Sequence, residues 1–343
     1  MSKTKIILFL LFVDLFFFVV YFFLKIYFQP VAIVAPHHNV VAAKRLDFFQ
    51  QIADKRIFTK KIILIGPDHF SPNQNNLNYS NTNWKLSNGE LLFLKELEPY
   101  LSPLLNLQDG VIKNDHAIFN LASDIKSVWP DAKIFPILIG QNYSISRLDN
   151  LISKIETICD LDCLLIASVD FSHYLPSGFA NVHDQKSIYD LATQNLSEIP
   201  KLEVDSPQSL FVLSSFSKTK KATKWELYYH SNSGELINNP YIETTSHIFG
   251  SYQRSFIKNT YPEIKTYLLA KNIDQNKSQK SLGSRFFYGT DYIDLNYSSR
   301  SIYKLPFDLP NNTIVTVTTV NGQPNYYYFS TEVKNGATFF LRK

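Results

Sequence analysis

Histidines and aspartates follow three apolar runs of the sequence, each at the point where a buried strand would end. The runs are Val31–Val40 (VAIVAPHHNV), Lys61–Ile65 (KIILI) and Cys163–Ser168 (CLLIAS). The side chains in or just after these runs are His37, His38, His69, Asp170 and His173. Imidazole and carboxylate groups bind metal ions and transfer protons. In an open parallel α/β sheet the carboxyl ends of the strands share one edge, where ligands bind, so we expect these side chains to converge on one site.

The elements that must position these side chains alternate between strand and helix from Val31 onward. Apolar periodicity predicts further strands over Lys133–Ile139, Lys224–Tyr229 and Ser246–Tyr252. It predicts helices over Val40–Lys55, Gly89–Tyr100, His116–Val128, Ser144–Ile158, Asn181–Leu196 and Ser206–Phe216. Asn114 or Asp115 is the predicted N-cap of the third helix. Such alternation predicts an α/β fold with a mainly parallel sheet and helices on both faces.

The first 29 residues predict a single-pass N-terminal membrane anchor. Ile6–Leu24 is an apolar run close to the roughly 20 residues that cross a bilayer. Asp14 within it costs about 3 kcal/mol at mid-span, whereas the Leu, Ile, Phe and Val residues together contribute about −7 kcal/mol, so insertion is favoured. No small-x-small cleavage site follows, which favours an uncleaved anchor. Lys3 and Lys5 favour a cytoplasmic N terminus. The lipid bilayer is therefore a predicted partner through residues 6–24, with the soluble domain on the extracytoplasmic side.

The C-terminal part of the chain differs in character from the part before it. Asn272–Ser284 (NIDQNKSQKSLGS) is polar and typical of a linker. Beyond it, β-rich runs are separated by Asn321-Gly322 and Asn335-Gly336, which are hairpin signals. These features predict a small all-β tail. The predicted domains are a membrane anchor over 1–29, an α/β domain over 30–271, a linker over 272–284 and a β-meander over 285–343.

Composition narrows the classes of function. The 34 Lys and Arg residues are scattered and the net charge is only +4, so we expect no nucleic-acid partner. Cys159 and Cys163 are the only cysteines, which excludes a disulfide-dense scaffold and a zinc site of Cys-x-x-Cys pairs but leaves the redox compartment open. All eight histidines lie between His37 and His247, which indicates that the chemistry and the tail belong to different units.

Five short motifs resemble those of a known family in their order and spacing over Val31–Gln253. They are APHH (Ala35–His38), GPDHF (Gly66–Phe70), DHAI (Asp115–Ile118), SVDFSHY (Ser168–Tyr174) and YYHS (Tyr228–Ser231). The family is Memo, also called AmmeMemoRadiSam system protein B. Its members resemble in fold the class III extradiol ring-cleaving dioxygenases, which hold a non-haem Fe(II) through two histidines and a carboxylate. The resemblance implies an α/β domain with a metal-binding pocket, but it fixes no reaction, because such folds host several activities.

The resemblance also implies a set of metal ligands. In the family, the His of a Pro-His motif, the His of a Gly-Pro-x-His motif and a later Cys form the metal cluster. These positions correspond to His37, His69 and, in place of the Cys, Asp205. Two histidines and one carboxylate suit Fe(II), with Zn²⁺ or Cu as alternatives. Asp205 has a second interpretation, as a cap of the helix that begins at Ser206-Pro207.

The remaining motif residues are candidates for proton transfer and substrate contact. Asp170 and His173 match the family's Ser-Asp-Phe-x-His segment and predict a histidine oriented by a carboxylate. His116 is a third catalytic candidate, and His38 and His230 are further pocket candidates. Together these residues favour an oxygen- or redox-dependent metalloenzyme acting on an unknown small substrate. The alternatives are a metal-dependent hydrolase and a non-catalytic module that binds a peptide or small ligand through the pocket or the tail.

Overall fold

A computed structural model describes residues 3–71, 75–175, 177–239 and 242–256, together with seven strands in the C-terminal part of the chain. The helices are α1 (Lys3–Phe28), α2 (Ala42–Lys55), α3 (Glu98–Leu101), α4 (Asp109–Asn114), α5 (His116–Val128), α6 (Asp149–Ile158), α7 (Ser177–Thr193), α8 (Pro207–Thr219) and α9 (Ser233–Leu236). The strands before the C-terminal part are β1 (Pro30–Ala35), β2 (Lys61–Pro67), β3 (Leu77–Tyr79), β4 (Trp84–Leu86), β5 (Gly89–Phe93), β6 (Asn106–Leu107), β7 (Lys133–Ile139), β8 (Cys163–Ser168), β9 (His173–Leu175), β10 (Lys224–Asn232) and β11 (Thr244–Gln253).

These eleven strands form one mixed sheet whose centre is parallel. The strand order is β10-β11-β1-β8-β2-β7-β3-β6, and β4, β5 and β9 pair along its borders. Strands β1, β8, β2 and β7 run parallel to one another, whereas β11 pairs antiparallel with both β1 and β10 and β3 pairs antiparallel with β7. Every residue of β1 and β8 is buried, as expected for parallel strands covered on both faces. The predicted α/β fold with a mainly parallel sheet is confirmed.

Alternate residues of the central strands enter two separate cores, because successive side chains of a strand point to opposite faces. On β1, Ala32 and Val34 pack into one core and Ile33 and Ala35 into the other. Helices α6 and α8 supply the first core with residues such as Leu151, Ile155, Leu210 and Leu213. Helices α2 and α5 supply the second with residues such as Phe48, Phe49, Ile118 and Leu121. The two helical layers fix the sheet from both sides, so the loops at its edges start from a rigid frame.

The helix predicted over Gly89–Tyr100 is wrong. Its first part is strand β5, which pairs antiparallel with β4 and parallel with β7. Helical structure is confined to its end, where a 3-10 turn over Lys95–Leu97 leads into α3. Ser87 and Asn88 form the turn between β4 and β5, and Gly89 has φ +122°, a backbone conformation that side chains with a Cβ rarely adopt. Asn88-Gly89 is therefore part of a hairpin turn, a signal that outweighs the helical spacing of the apolar residues after it.

Helix α1 is long and apolar enough to cross a membrane. Its segment Phe9–Phe28 is 20 residues long with a mean hydropathy of 2.4, and none of it is buried in the protein. Length and composition of this kind belong to bilayer-spanning helices and to signal sequences alike. The chain passes from α1 to β1 through one residue, Gln29.

The described residues beyond Phe256 all lie in β-strands, which agrees with the all-β tail predicted over 285–343. Its strands are β12 (Tyr267–Asn272), β13 (Leu282–Tyr288), β14 (Asp291–Tyr297), β15 (Ile302–Lys304), β16 (Thr313–Thr318), β17 (Pro324–Phe329) and β18 (Thr338–Phe340). Strands β12, β13 and β14 form one sheet, β16 pairs with β17, and β18 pairs with β15, which departs from the strand order of a simple meander. The turn signals Asn321-Gly322 and Asn335-Gly336 and the middle of the predicted linker lie outside the described residues. The domain boundaries stay a prediction.

The two cysteines form a disulfide. Cys159 follows α6 and Cys163 begins β8, and their Cα atoms lie 5.1 Å apart. The bond therefore lies at the edge of the sheet where the parallel strands begin, away from the loops that follow their carboxyl ends.

Candidate metal centre

The loops after β1 and β2 and the start of α5 bring three imidazole rings together. The ring centroids of His37 and His69 lie 5.1 Å apart, and those of His37 and His116 lie 5.0 Å apart. The rings of His69 and His116 stack with their centroids 3.8 Å apart. Because β1, β8 and β2 are parallel neighbours, their carboxyl ends meet at one edge, and the rings gather there.

His37 lies at the middle of this cluster and is almost completely buried. Its Nδ1 atom lies 3.1 Å from the Ser168 hydroxyl, while its Nε2 atom lies 3.2 Å from Asp205 Oδ2 and 3.4 Å from Asp170 Oδ2. Burial lowers the pKa of His37 to about 4 although the Asp170 charge opposes the shift. The ring is therefore neutral near pH 7, which is the form that binds metal ions.

Asp170 organises the loop that carries His37. Its Oδ1 atom accepts hydrogen bonds from the backbone N–H groups of His37 (3.0 Å) and His38 (3.2 Å). Burial by itself would raise the pKa of Asp170, but the nearby His37 and His247 rings outweigh it and the pKa is lowered. Asp170 is thus a buried carboxylate that fixes the backbone and at the same time points its second oxygen at His37 Nε2.

Two helices hold the same loop from the other side. The buried Arg45 of α2 donates to the Pro36 carbonyl oxygen (3.2 Å) and pairs with Asp124 of α5 (2.6 Å). Asn120 of α5 donates to the His37 carbonyl oxygen (2.9 Å). The backbone position of His37 is therefore fixed by hydrogen bonds from α2, α5 and the loop after β8.

His69 is oriented by a buried carboxylate. Its Nδ1 atom lies 2.8 Å from Asp115 Oδ1, and its backbone N–H donates to Asp115 Oδ2 at 2.8 Å. Asp115 is also the N-cap of α5, since its side chain accepts from the Ala117 backbone N–H. A histidine whose Nδ1–H donates to a carboxylate leaves Nε2 for a metal, and such carboxylate–histidine pairs are typical of metal sites.

Gly66 allows α5 to approach β2 closely enough for this contact. A Cβ atom at Gly66 would lie 3.0 Å from Ala117 Cβ and 3.3 Å from the Ser168 carbonyl oxygen. The loop beyond it is held by Asp68, whose Oδ1 accepts from the backbone N–H groups of Phe70 and Ser71. The Gly-Pro-Asp-His sequence thus combines close packing with a fixed turn.

Asp205 is not the cap of α8. The N-cap is Ser206, whose hydroxyl accepts from the Ser209 backbone N–H at 3.2 Å. Asp205 Oδ2 accepts from the Asp170 backbone N–H at 3.1 Å, and Asp205 Oδ1 is buried with no hydrogen-bond partner among the described residues. Burial and the charge of Asp170 raise the pKa of Asp205 well above its usual range.

The described residues contain two overlapping groups of side chains that could hold a metal ion. One consists of His37, His69 and His116, and the other of His37, Asp170 and Asp205. In each group the ligand atoms lie within 4.8 Å of one another. His37 belongs to both groups. The ligands anticipated from the sequence, His37, His69 and Asp205, are therefore divided between the two groups, with His116 and Asp170 completing them.

The donor chemistry of these groups fits a divalent transition metal. All the candidate donors are imidazole nitrogens and carboxylate oxygens, which suit Fe, Zn and Cu. The buried Asp205 Oδ1 has no partner, as expected of an oxygen available to a cation. Both cysteines are bound in the disulfide, so the described cluster contains no thiolate.

His116, a member of the cluster, and His173, at the start of β9, both have lowered pKa values. The His116 side chain is 49% exposed, and burial of its remainder lowers its pKa. Burial also lowers the pKa of His173, with Asp170 acting in the opposite direction. The next residue, Tyr174, is exposed and has φ 58°, in the left-handed region that disfavours a large side chain. Strain of this kind accumulates at functional sites, which makes Tyr174 a candidate for contact with a ligand.

His38 and His230 belong to networks beside the cluster. His38 Nδ1 lies 2.9 Å from His247 Nε2, and His247 Nδ1 lies 3.2 Å from the Ser231 hydroxyl. His230 Nε2 lies 2.8 Å from Asp184 Oδ2, so the described contacts of its ring lead away from the candidate ligands. His38 is the nearer of the two to the centre, because its backbone N–H is bound by Asp170.

Several residues of the site have weak signals in the sequence. Asp115 was expected only as a possible helix cap, although the adjacent Asp-His of DHAI marks it as a polar pair at a helix start. His247 belongs to none of the five motifs, and Arg45 and Asn120 lie on amphipathic helices where polar residues normally face solvent. Only the fold shows that these side chains turn toward the site.

The domain has a mainly parallel sheet with helices on both faces, and histidines and aspartates cluster at the carboxyl edge of that sheet. These features define an α/β domain with a candidate metal-binding site. A family model described as Memo-like protein matches residues 17–240, and the chain belongs to this family. It is 22% identical over 223 residues to a MEMO1 family protein of Thermoplasma volcanium, covering 61% of this chain and 81% of that protein. Its structure is also similar to that of an uncharacterized protein from Escherichia coli K12, with a TM-score of 0.44, 11% identity and coverage of 64% of this chain and 99% of the other.

Proposed function

We propose that this Memo-like protein is a membrane-anchored metalloenzyme that binds a divalent metal, Fe(II) in preference, and carries out dioxygenase-type or other redox chemistry on a small substrate. The observation that carries the proposal is the pair of ligand groups centred on the buried, neutral His37. Histidines combined with carboxylates suit non-haem Fe(II) and leave positions free for further ligands. When bound, such a metal supplies the redox chemistry that protein side chains lack.

The chain's own residues orient the centre and move protons. Asp115 accepts from His69 Nδ1 and so directs Nε2 toward the cluster. The Ser168 hydroxyl contacts His37 Nδ1 at 3.1 Å, which leaves His37 Nε2 facing Asp170 and Asp205. We propose that His173, which burial keeps neutral, accepts a proton from the substrate and that the half-exposed His116 exchanges protons with solvent.

A hydrolase is the second candidate, because the group His37, His69 and His116 offers three imidazoles. Three histidines with one open position are typical of catalytic Zn²⁺, which lowers the pKa of bound water. Metal identity and dependence on oxygen distinguish the two functions.

Two observations support the membrane anchor and the extracytoplasmic orientation of the domain. The segment Phe9–Phe28 has the length and hydropathy of a bilayer span. The disulfide Cys159–Cys163 favours an oxidising compartment, such as the outside of the cytoplasmic membrane. Both agree with the Lys3 and Lys5 charges before the apolar run.

The test is the metal content of the full chain, purified in detergent without oxygen, for the wild type and the variants His37→Ala, His69→Ala and Asp205→Ala. His183→Ala is the matched control, because His183 pairs with Glu203 and belongs to neither ligand group. We expect near-stoichiometric metal in the wild type and the control, and loss in the other three. A wild type that takes up neither Fe(II) nor Zn²⁺ would contradict both enzyme functions.

Oxygen consumption then separates the candidates. The Fe(II)-loaded protein should consume oxygen with a panel of phenolic and thiol substrates, whereas the Zn²⁺-loaded protein should not. Ester or amide hydrolysis by the Zn²⁺ form, without oxygen uptake by the Fe(II) form, would favour the hydrolase.

A further inference from the structure

The edge of the sheet opposite the metal centre is continuous with the apolar helix α1. Only Gln29 separates α1 from β1, and the Gln29 side chain donates to the Leu161 carbonyl oxygen at 2.8 Å. Because β2 and β8 run parallel to β1, the residues just before them, including Phe58 and Leu161, lie at this same edge. Strand β1 has six residues, so this edge lies about 20 Å from the metal centre.

Exposed apolar side chains of the domain surround the end of α1. Phe58, Leu161 and Phe256 are 46%, 53% and 77% exposed. The ring of Phe256 contacts the rings of Tyr27 and Phe28, with centroids 5.7 and 4.8 Å apart. These side chains form a rim beside the helix at its junction with the domain.

Phe58 contacts α1 within its apolar length. The centroids of the Phe58 and Phe22 rings lie 6.4 Å apart. Phe22 precedes the end of α1 at Phe28 by six residues, which corresponds to about 9 Å of helix. If α1 spans a bilayer, Phe58 therefore reaches below the level at which the helix leaves the membrane.

A basic cavity opens at the same edge. Its volume is about 550 Å³, and its lining includes Gln29, Phe58, Leu161, Phe216, Lys220 and Arg254. Lys220 Nζ donates to the Glu156 carbonyl oxygen, and Arg254 donates to the carbonyl oxygens of Lys220 and Tyr27. Within the described ranges neither cation forms a salt bridge with a carboxylate. The lining also contains Arg56, Lys61, Asp160 and Asp162, and Lys61 pairs with both carboxylates. Four cations and two carboxylates therefore line the cavity, which leaves it basic.

We propose that this edge docks on the bilayer and that the cavity binds the phosphate of an anionic phospholipid. Phe58, Leu161 and Phe256 enter the interfacial region, where aromatic and apolar side chains are favoured. Lys220 and Arg254 bind the headgroup phosphate, the guanidinium through paired N–H donors. The inference rests on the proposed anchor, since α1 brings the edge to the membrane. The metal centre then faces away from the bilayer and receives its substrate from the aqueous side.

The experiment uses the full chain reconstituted in vesicles of phosphatidylcholine, with or without phosphatidylglycerol. Phe58→Trp reports contact with lipids brominated near the carbonyl end of their acyl chains. Phe119→Trp is the control, because Phe119 is 56% exposed on α5, the helix that begins at the metal centre. Trp84, Trp129 and Trp225 are buried and add the same background to both variants.

We expect tryptophan at position 58 to lose emission intensity in brominated vesicles and tryptophan at position 119 to keep it. Adding Lys220→Gln and Arg254→Gln to Phe58→Trp should lower the ratio of docked to undocked protein about 30-fold in anionic vesicles. Loss of each positive charge near an anionic surface lowers this ratio about five- to sixfold. Equal quenching at positions 58 and 119 would overturn docking. Quenching at position 58 that is insensitive to the two Gln substitutions would overturn the phosphate site. Failure of the chain to float with vesicles would instead contradict the anchor.

Discussion

Replacing Asp115 by Ser and by Ala separates its two roles. Asp115 caps α5 through the Ala117 N–H and holds His69 through both the ring Nδ1 and the backbone N–H, at distances of 2.8–2.9 Å. A serine can still accept the capping hydrogen bond but is too short to reach His69. An alanine loses both interactions. The two variants therefore differ only in the helix cap.

The structure gives separate magnitudes for the two roles. Loss of the cap costs about 1 kcal/mol, and loss of the hydrogen bonds from the half-buried His69 to the fully buried Asp115 carboxylate costs about 1–3 kcal/mol. We expect Asp115→Ser to lose about 1–3 kcal/mol of unfolding free energy and Asp115→Ala about 1 kcal/mol more. Removing a carboxylate that orients a metal-binding histidine weakens metal affinity about 10–100-fold, and this loss should be the same in both variants.

Urea unfolding followed by tryptophan fluorescence measures the stabilities, and competition with a chromophoric chelator for Zn²⁺ measures the affinities. If the Ser variant bound metal as tightly as the wild type, Asp115 would act only as a helix cap. If affinity fell in proportion to stability across the two variants, the loss would come from a general loosening of α5. Either result would refute the assigned role of Asp115 toward His69.

Three further predictions concern other parts of the molecule. Ser206→Ala should destabilise the protein by about 1 kcal/mol and keep its metal, whereas Asp205→Asn should lose metal; equal metal loss in inductively coupled plasma analysis would contradict the distinction. The folded protein should show no free thiols in a thiol assay without reductant, and replacing Cys159 and Cys163 by Ser should remove about 2 kcal/mol of stability, because the bond closes a short loop. Burial lowers the pKa of His247 from 6.5 to about 4, so the unfolded chain binds this proton more readily than the folded one. Stability should therefore fall by about 3 kcal/mol as the pH falls through this window, and His247→Gln should lack this component in unfolding measured from pH 7 to 4.

The location of the centre could be predicted because it follows from local sequence and one general rule. His37 and His69 come directly after buried apolar runs, and parallel strands place their carboxyl ends together. The contact between His38 and His247 joins residues 209 positions apart, and His247 lies on β11, which is antiparallel to both β10 and β1. No local pattern encodes such a pairing, because a single histidine on a strand looks the same whether it contacts solvent or another ring.

The fold was predictable where periodicity was unambiguous. Strand β8 and helix α5 have the predicted bounds, since each is a strongly apolar or amphipathic run between clear end signals. The error at Gly89–Tyr100 arose because the apolar spacing of a short strand followed by a turn of helix resembles that of one longer helix. Pairing with β7 favours the strand over the helix, and which strand lies beside this segment depends on the tertiary fold.

The charges around His37 connect the stability of the domain to its proposed metal. Two carboxylates, Asp170 and Asp205, are buried within 3.4 Å of one neutral imidazole. Among the described residues no lysine or arginine pairs with either of them, and burial together with the charge of Asp170 raises the pKa of Asp205. A fold that retains two such groups gains little from them as core residues, because buried carboxylates are costly without a positive partner. A divalent cation would supply that partner, so metal binding should stabilise the folded state. Asp205→Asn should abolish this gain and leave the metal-free protein about as stable, because the amide oxygen can still accept from the Asp170 backbone N–H.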